Sequence, residues 1–443
     1  MRRARIGAVL AIMALVCGVL AVPATAQSGS GGSKEALTAS DVGVSPTEIR
    51  IGVIADTGSS VAPGLFQGSV DGVKAWAKWM NAKNGGLAGR KIVVDTYDSG
   101  LDQGDTRNAI IAACEKDFAV VGTSAIFVNN TDDLIGCKDA KGAATGVPDF
   151  PVLTTETAHQ CSPVSYPINP PILDCATAKQ NPQTYRGSLN ATNYLLKRFG
   201  KNALHGLYVY PADLKASKDS WVPQYQAYQD SGIEEEASFD VSAVAPQSAF
   251  TPLVQAIKDD NSTYATQGGP ASVMISLMKE AKLQGVTSVK AWFCALQCYD
   301  KTIQSAPETE GLFVGLLFLP FDEAKSNPML ATFLKYVGAA KADGFAAQAW
   351  ASAVLFGESV EKAIADGGPD ALTRANVLGG VASITEFDAE GMVGTINPAA
   401  KEPSRCVVVE QVRGGKFVRQ WPKKKGTFDC SPKNSFEVKM NLQ

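Results

Sequence analysis

Residues 49–55 read IRIGVIA and residues 57–60 read TGSS. A short apolar run that ends in Gly and Ser predicts a buried strand followed by a turn. Residues 65–81 then set Val70, Val73, Ala77 and Met80 at helical spacing, and Asn84-Gly85-Gly86 supplies the stop that a helix C-cap requires. Residues 91–97 (KIVVDTY) predict a second strand, and 105–114 a second helix with Asp and Thr at its start. A third strand follows at 119–122 and, after another helical stretch, a fourth at 151–154. Strands and helices alternate, which argues for a parallel sheet with helices on both faces.

The alternation restarts beyond the Pro-rich loop at 163–182. Helix is expected at 189–199, strand at 204–210, helix at 217–231, strand at 238–241 and helix at 250–259. Residues 271–277 fit a strand or a buried helix, and periodicity leaves both open; 291–294 fit another strand. The run GLFVGLLFL at 311–319, ending at Pro320, exceeds an ordinary strand and reads as one that crosses from one lobe to another. Helices are expected at 328–341 and 346–365, and 405–412, Gly414-Gly415 and 416–420 carry a hairpin signal. A chain of 443 residues exceeds what one hydrophobic core usually supports. Two α/β units in series therefore make a two-lobed protein.

Composition narrows the function. The 41 Lys and Arg nearly balance the 44 Asp and Glu, so a nucleic-acid partner is not expected. The two histidines, His159 and His205, leave little scope for His metal clusters or a Ser–His–Asp centre. Neither a G-x-S-x-G elbow nor an H-E-x-x-H pair is present. The acidic pairs Asp132-Asp133 and Asp259-Asp260 sit in polar stretches that read as solvated faces.

The N-terminus sets a compartment. Arg2, Arg3 and Arg5 precede an apolar stretch at 6–22, and Ala24-Thr25-Ala26 offers a cleavage site, so 1–26 reads as a signal peptide rather than an anchor. Cys17 raises lipidation as an alternative, but no small residue stands directly before it. Residues 27–46, opening with QSGSGGSK, read as a flexible linker. Cleavage leaves eight of the nine cysteines, an even number that favours disulfides in an exported chain. Pairing of sequence neighbours is expected: Cys114 with Cys137, Cys161 with Cys175, Cys294 with Cys298 and Cys406 with Cys430. A zinc site at Cys294 and Cys298 is the weaker rival, and no metal or cofactor is expected. The sequons at Asn129, Asn190 and Asn261 are short enough to arise by chance.

These segments resemble a known family. The opening IRIGVI with Thr57-Gly58, and above all Asn81-Ala82-Lys83-Asn84-Gly85-Gly86-Leu87-Ala88-Gly89-Arg90-Lys91, are similar to the leucine/isoleucine/valine-type solute-binding proteins of ABC transporters. Val120-Val121-Gly122, the 151–157 segment, Gln284-Gly285 and Glu310-Gly311-Leu312 follow in the family's order, so the resemblance spans about 49–421. It implies a type I periplasmic-binding-protein fold, each lobe a mostly parallel sheet flanked by helices, with three crossovers at the hinge. It places one lobe at 47–185 plus 320–398 and the other at 186–318 plus 399–443. Ligand binds in the cleft between them, and a monomer is the expected state.

The resemblance also supplies candidate site residues. Family members that bind amino acids hold the carboxylate with hydroxyls and amides of the first lobe. The matching loop here is Thr123-Ser124-Ala125-Ile126, where Ala125 and Ile126 stand in place of the family's Ser or Cys-Ser pair. The next strand end is Thr154-Thr155-Glu156, and Glu156 is a departure. The family's amine-binding acid falls near Leu296, beside Gln297, and is absent. Glu156 is a candidate for a cationic or amine group instead; the plainer reading has it capping a helix or facing solvent. Ser60, Phe66, Asp213 and Phe345 complete the candidates, with the core or a turn as their alternative places. The function implied is an exported protein that captures a small organic solute, an amino acid or a related apolar or aromatic compound, for a membrane permease. A ligand sensor on the same fold is the alternative, and a hydrolytic enzyme the remote one.

Overall fold

The computed structural model describes residues 37–60, 62–169 and 172–442. The signal peptide, the Cys17 alternative and most of the expected linker lie outside the described residues. The linker does not extend to 46. Thr38 donates its backbone N–H to Asp370, Ser40 bonds the Leu372 carbonyl, and Asp41 accepts from the Arg374 backbone.

The first half runs β1 (Glu48–Ala55), α1 (Gln67–Asn84), β2 (Lys91–Asp98), α2 (Gln103–Lys116), β3 (Ala119–Val121), α3 (Asp132–Ile135), β4 (Asp149–Phe150) and α4 (Thr157–Gln160). Its four strands form one parallel sheet in the order β2-β1-β3-β4. Ile49, Ile51 and Val53 of β1 are fully buried. Each such side chain contributes roughly 1.5–3 kcal/mol by leaving water, which is why this strand sits at the centre.

The turn between α1 and β2 explains its own sequence. Asn81 exchanges two hydrogen bonds with the backbone of Ile92, at 2.9 and 2.8 Å. Gly85 caps α1 in the left-handed region. Gly86 has φ 120°, and a Cβ there would meet the Arg90 carbonyl oxygen at 1.9 Å, so no other residue fits. The Arg90 guanidinium is fully buried and donates to the carbonyls of Thr38, Ser45, Ala88 and Pro369 and to the Asp370 carboxylate.

The second unit contains β5 (Gln183–Ser188), α5 (Thr192–Phe199), β6 (His205–Pro211), α6 (Lys215–Asp230), β7 (Glu234–Val241), α7 (Thr251–Asp259), β8 (Tyr264–Gln267), α8 (Ala271–Leu283), β9 (Ala291–Cys294), α9 (Lys301–Ser305) and β10 (Phe313–Leu316). The chain then passes to α10 (Pro328–Val337), α11 (Gly344–Ile364) and α12 (Arg374–Ala382), and returns through β11 (Val408–Arg413), β12 (Lys416–Trp421) and β13 (Ser435–Met440). The second sheet has seven strands in the order β12-β11-β10-β9-β8-β6-β7, in which β11 alone runs antiparallel to its neighbours β10 and β12. A separate antiparallel pair joins β13 to β5. The chain therefore crosses between the sheets three times: after β4, after β10 and before β11.

Several elements differ from expectation. The fourth strand is Asp149–Phe150, and 151–154 is a loop, because Pro151 lacks a ladder donor. Residues 271–277 belong to a helix, α8, preceded by the short strand β8, which has no exposed residue and hence no alternation to read. The helix expected at 189–199 begins at Thr192, after the unpredicted strand β5. The 185/186 boundary falls inside β5, whose partner β13 arrives from the other end of the chain. The run 311–319 forms strand only over Phe313–Leu316; Phe318 then bridges to Val393. Disulfides join Cys114–Cys137, Cys161–Cys175, Cys294–Cys298 and Cys406–Cys430, each between sequence neighbours.

Candidate functional site

In open α/β sheets ligands gather at the carboxyl ends of parallel strands. On the first sheet those ends are organised by Asp56, directly after β1. Its buried carboxylate accepts from Ser99 Oγ at 2.7 Å and from the backbone N–H groups of Leu101 and Ile126, both at 2.9 Å. One side chain thus fixes the loops after β1, β2 and β3. Sequence reading missed it; the signal was an acid immediately after a buried apolar strand.

Thr123 donates its Oγ1 proton to Asp149 Oδ1 at 2.6 Å. The other oxygen, Oδ2, is held by Ser165 Oγ and His159 Nε2, both at 2.7 Å. The Thr123 hydroxyl is therefore committed as a donor and keeps acceptor capacity only. Thr123, Asp149, His159 and Ser165 are all buried, so this network braces the loop from within rather than meeting solvent, and Thr123 does not face the cleft as expected.

The rest of that loop turns inward. Ser124 is fully buried, with Oγ 2.7 Å from Ser69 Oγ, and Ala125 is fully buried beside Ile54 and Val128. Both expectations of cleft contact give way to core packing, since neither side chain keeps exposed surface. Ile126 is half-buried, and Thr155 donates to its carbonyl at 2.7 Å. Thr154 is half-buried, while Ser60 is exposed on the turn after β1.

Glu156 stands at the N-terminus of α4 and makes no capping bond. It is half-buried. Burial, and next the charge of Asp219 on α6, raise its carboxyl above the usual range. Tyr185 of β5 is raised by burial and the same Asp219. A carboxylate following the first sheet and one on a helix of the second unit therefore feel each other. Asp219 also takes Lys215 Nζ at 2.8 Å. Neither Asp219 nor Tyr185 was anticipated, because no local pattern marks a residue that matters through a segment 63 positions away (156 to 219).

On the second unit, Asp213 is exposed and accepts from Ser242 Oγ at 2.5 Å and Ala243 N–H at 2.7 Å. It is a turn residue, and its acceptors are spent locally. Leu296 is half-buried on the main core, and Gln297 Nε2 donates to the Gln267 carbonyl at 3.4 Å. The Trp221 ring lies against Gly268, where a Cβ would meet it at 2.7 Å. Gln267 is fully buried, and its Oε1 has no hydrogen-bond partner among the described residues.

Phe66 and Phe345 come together. Their rings meet edge to face at 4.9 Å, with Phe66 buried and Phe345 half-buried at the start of α11. Beside them the start of α1, Asp300-Lys301 and residues 340–343 enclose a hollow of about 240 Å³. Its charges are largely matched: Lys341 Nζ lies 2.7 Å from Asp71, and Lys301 caps the Ala339 and Ala340 carbonyls. Asp343 there is raised above its usual value by burial, with Asp300 and Asp71 adding to it.

No helix among the described residues is long and apolar enough to cross a membrane. No curated protein matches the sequence. Among solved structures, an ABC transporter substrate-binding protein of Aeropyrum pernix superimposes with a TM-score of 0.68 at 13% identity, covering 88% of this chain and 97% of its own. A fatty acid ABC transporter substrate-binding protein from Thermomonospora curvata gives 0.66 at 15% identity, covering 87% and 97%. A leucine binding protein from Thermotoga maritima gives 0.60 at 14% identity, covering 84% and 97%. At these identities the likeness establishes the fold. The periplasmic binding protein family profile matches residues 48–416, so the chain belongs to that family.

Proposed function

We propose that the chain is an exported solute-binding protein that hands a small organic molecule to the membrane permease of an ABC importer, without catalysis. Its structural neighbours among ABC transporter substrate-binding proteins support this reading. The lobes we assign divide the chain as the resemblance implies, except that the first crossing moves ahead of β5, to about residue 182, because β5 pairs with β13. The mature chain acts as a monomer.

The ligand we favour carries a cationic or amine group on an apolar or aromatic body. The observation that carries this is Glu156, half-buried at a helix N-terminus without a capping bond, its carboxyl raised by burial and next by the charge of Asp219 on α6. A half-buried carboxylate that feels a second negative charge is poorly matched until a cation enters. The Phe66–Phe345 pair supplies apolar contact area on the same edge of the first sheet.

The test is thermal unfolding of the mature chain against amino acids, amines, fatty acids and aromatic acids. A bound ligand raises Tm by mass action, worth about 2.7 kcal/mol at a hundredfold excess over Kd. Amine-bearing ligands are expected to shift Tm, and Glu156→Gln to weaken them by about tenfold or more, the ~1.5–3 kcal/mol of a charged hydrogen bond. A shift with uncharged or anionic compounds alone, or undiminished binding to Glu156→Gln, defeats the ligand assignment.

A further inference from the structure

Away from the cleft, three carboxylates meet where β10 leaves the second sheet. Glu410 lies on β11, paired with Val314 of β10 and Arg419 of β12. It is fully buried, and among the described residues neither of its oxygens has a hydrogen-bond partner. Glu323 is buried beside it, and Asp322 faces solvent. Ligand oxygens of the three lie within 4.8 Å of one another.

The cations present do not balance this group. Arg419 forks onto both oxygens of Glu323, with Nη2–Oε2 at 2.7 Å, and the Gly426 N–H donates to the same Oε2 at 2.7 Å. Lys425 Nζ lies 2.5 Å from Asp322. Each of those carboxylates has its own partner, and Glu410 has no hydrogen-bond partner among the described residues. A buried charge in that position is strongly disfavoured unless a cation or a proton joins it.

Size separates the candidate ions. Calcium takes carboxylate oxygens at about 2.3–2.6 Å in flexible geometry, so two ligands up to ~4.8 Å apart can share it; magnesium, at about 2.0–2.1 Å, spans only ~4.2 Å and demands an octahedron. We propose that Asp322, Glu323 and Glu410 hold a calcium-sized divalent cation, with Glu410 as the buried anchor and Asp322 as the ligand open to solvent. Asp322 and Glu323 follow the segment on which the chain leaves the second sheet, and β11 is the strand on which it returns. An ion here ties the outgoing crossing to the incoming one. This site is independent of the solute cleft and of the transport reading.

The experiment takes the full mature chain, strips it with EDTA, and adds CaCl2 or MgCl2 while following heat and Tm. Calcium is expected to bind one site with Kd of about 10⁻⁴–10⁻³ M, the range of extracellular calcium modules. At tenfold excess it raises Tm by roughly 2 °C, and magnesium does not. Glu410→Gln removes the unpaired charge, keeps the fold and loses the calcium response. Asp322→Asn, on the exposed rim, weakens calcium at least about fivefold while leaving the buried pair with Arg419 intact. The proposal is overturned by a wild-type chain indifferent to calcium, which means that a proton neutralises Glu410. It is equally overturned by magnesium matching calcium, or by Glu410→Gln responding as wild type does.

Discussion

At the scale of single residues, burial sets what a charge does in this molecule. Asp117 follows α2 and is fully buried. One carboxylate oxygen accepts from Tyr97 at 2.7 Å, and among the described residues no hydrogen bond reaches the other. Burial, with Asp95 adding to it, pushes this carboxyl up to about 7. The Arg374 guanidinium, which donates to the Asp117 backbone carbonyl, sits close by and tempers the cost. Because the native carboxyl holds its proton where the unfolded one, near ~4, has released it, stability falls as pH rises from about 4 to about 7 and levels off above. Asp117→Asn keeps an acceptor for Tyr97 and never ionises. Urea unfolding is expected to show it more stable than wild type by on the order of 2 kcal/mol at pH 8 and no more stable at pH 4. An equal gain at both pH values would refute the burial argument. The same physics explains which site residues were legible. Glu156 stood out in the sequence because an acid at that strand end is unusual for the resemblance. Asp219 and Asp56 did not, because their importance comes from what the fold places against them. Ser124 and Ala125 look like binding residues by position, and only the packed loop shows them facing inward.

At the scale of elements, the fold rests on a close helix pair. Helices α1 and α11 run against each other over the face of the first sheet, with Trp76 edge to face on Phe356 at 6.1 Å. The approach is set by small residues. A Cβ on Gly72 would meet the Ala346 carbonyl oxygen at 2.3 Å, and one on Gly68 would strike the Asp343 carboxylate at 2.2 Å. The two contacts differ in kind, since backbone cannot yield where a side chain can rotate. Gly72→Ala is therefore expected to destabilise by about 1–3 kcal/mol through overpacking, despite the better helix propensity of Ala. Gly68→Ala is expected to cost less. Chemical denaturation of the two variants side by side checks the order, and a Gly72→Ala chain as stable as wild type would show that the helices separate freely. Elements with strong periodicity or clear stops, such as β1, α1 and the β11–β12 hairpin, were readable from sequence. Strands β5 and β13 were not: QTYRGS has no clean alternation, and each becomes a strand only because the other pairs with it from about 250 residues away, Arg186 opposite Glu437. Tertiary pairing, not local preference, makes them.

At the scale of the whole molecule, the question is whether one ligand group joins the two sides. Three crossings link the sheets, and a hinge of this kind moves on ligand binding only if the ligand contacts the closed state better than the open one. Glu156 and Asp219 offer that difference. Apart, each is a half-screened charge, Asp219 already sharing Lys215; together around a cation, both are compensated at once. This makes a quantitative claim about coupling. If one cationic group bridges them, Glu156→Gln and Asp219→Asn each weaken binding, and the double variant loses less than the sum, because either change alone already breaks the bridge. The expected coupling is about 0.5–3 kcal/mol by calorimetric titration of the wild type, both single variants and the double. Small-angle scattering on the same samples should show the wild type shrinking on saturation and the double variant shrinking less. Additive losses with unchanged closure would mean that the ligand touches each carboxylate independently, or only one of them. The driving force for closure would then have to come from the apolar side of the cleft, at Phe66 and Phe345, where a cation contributes nothing and the ligand's carbon skeleton decides affinity.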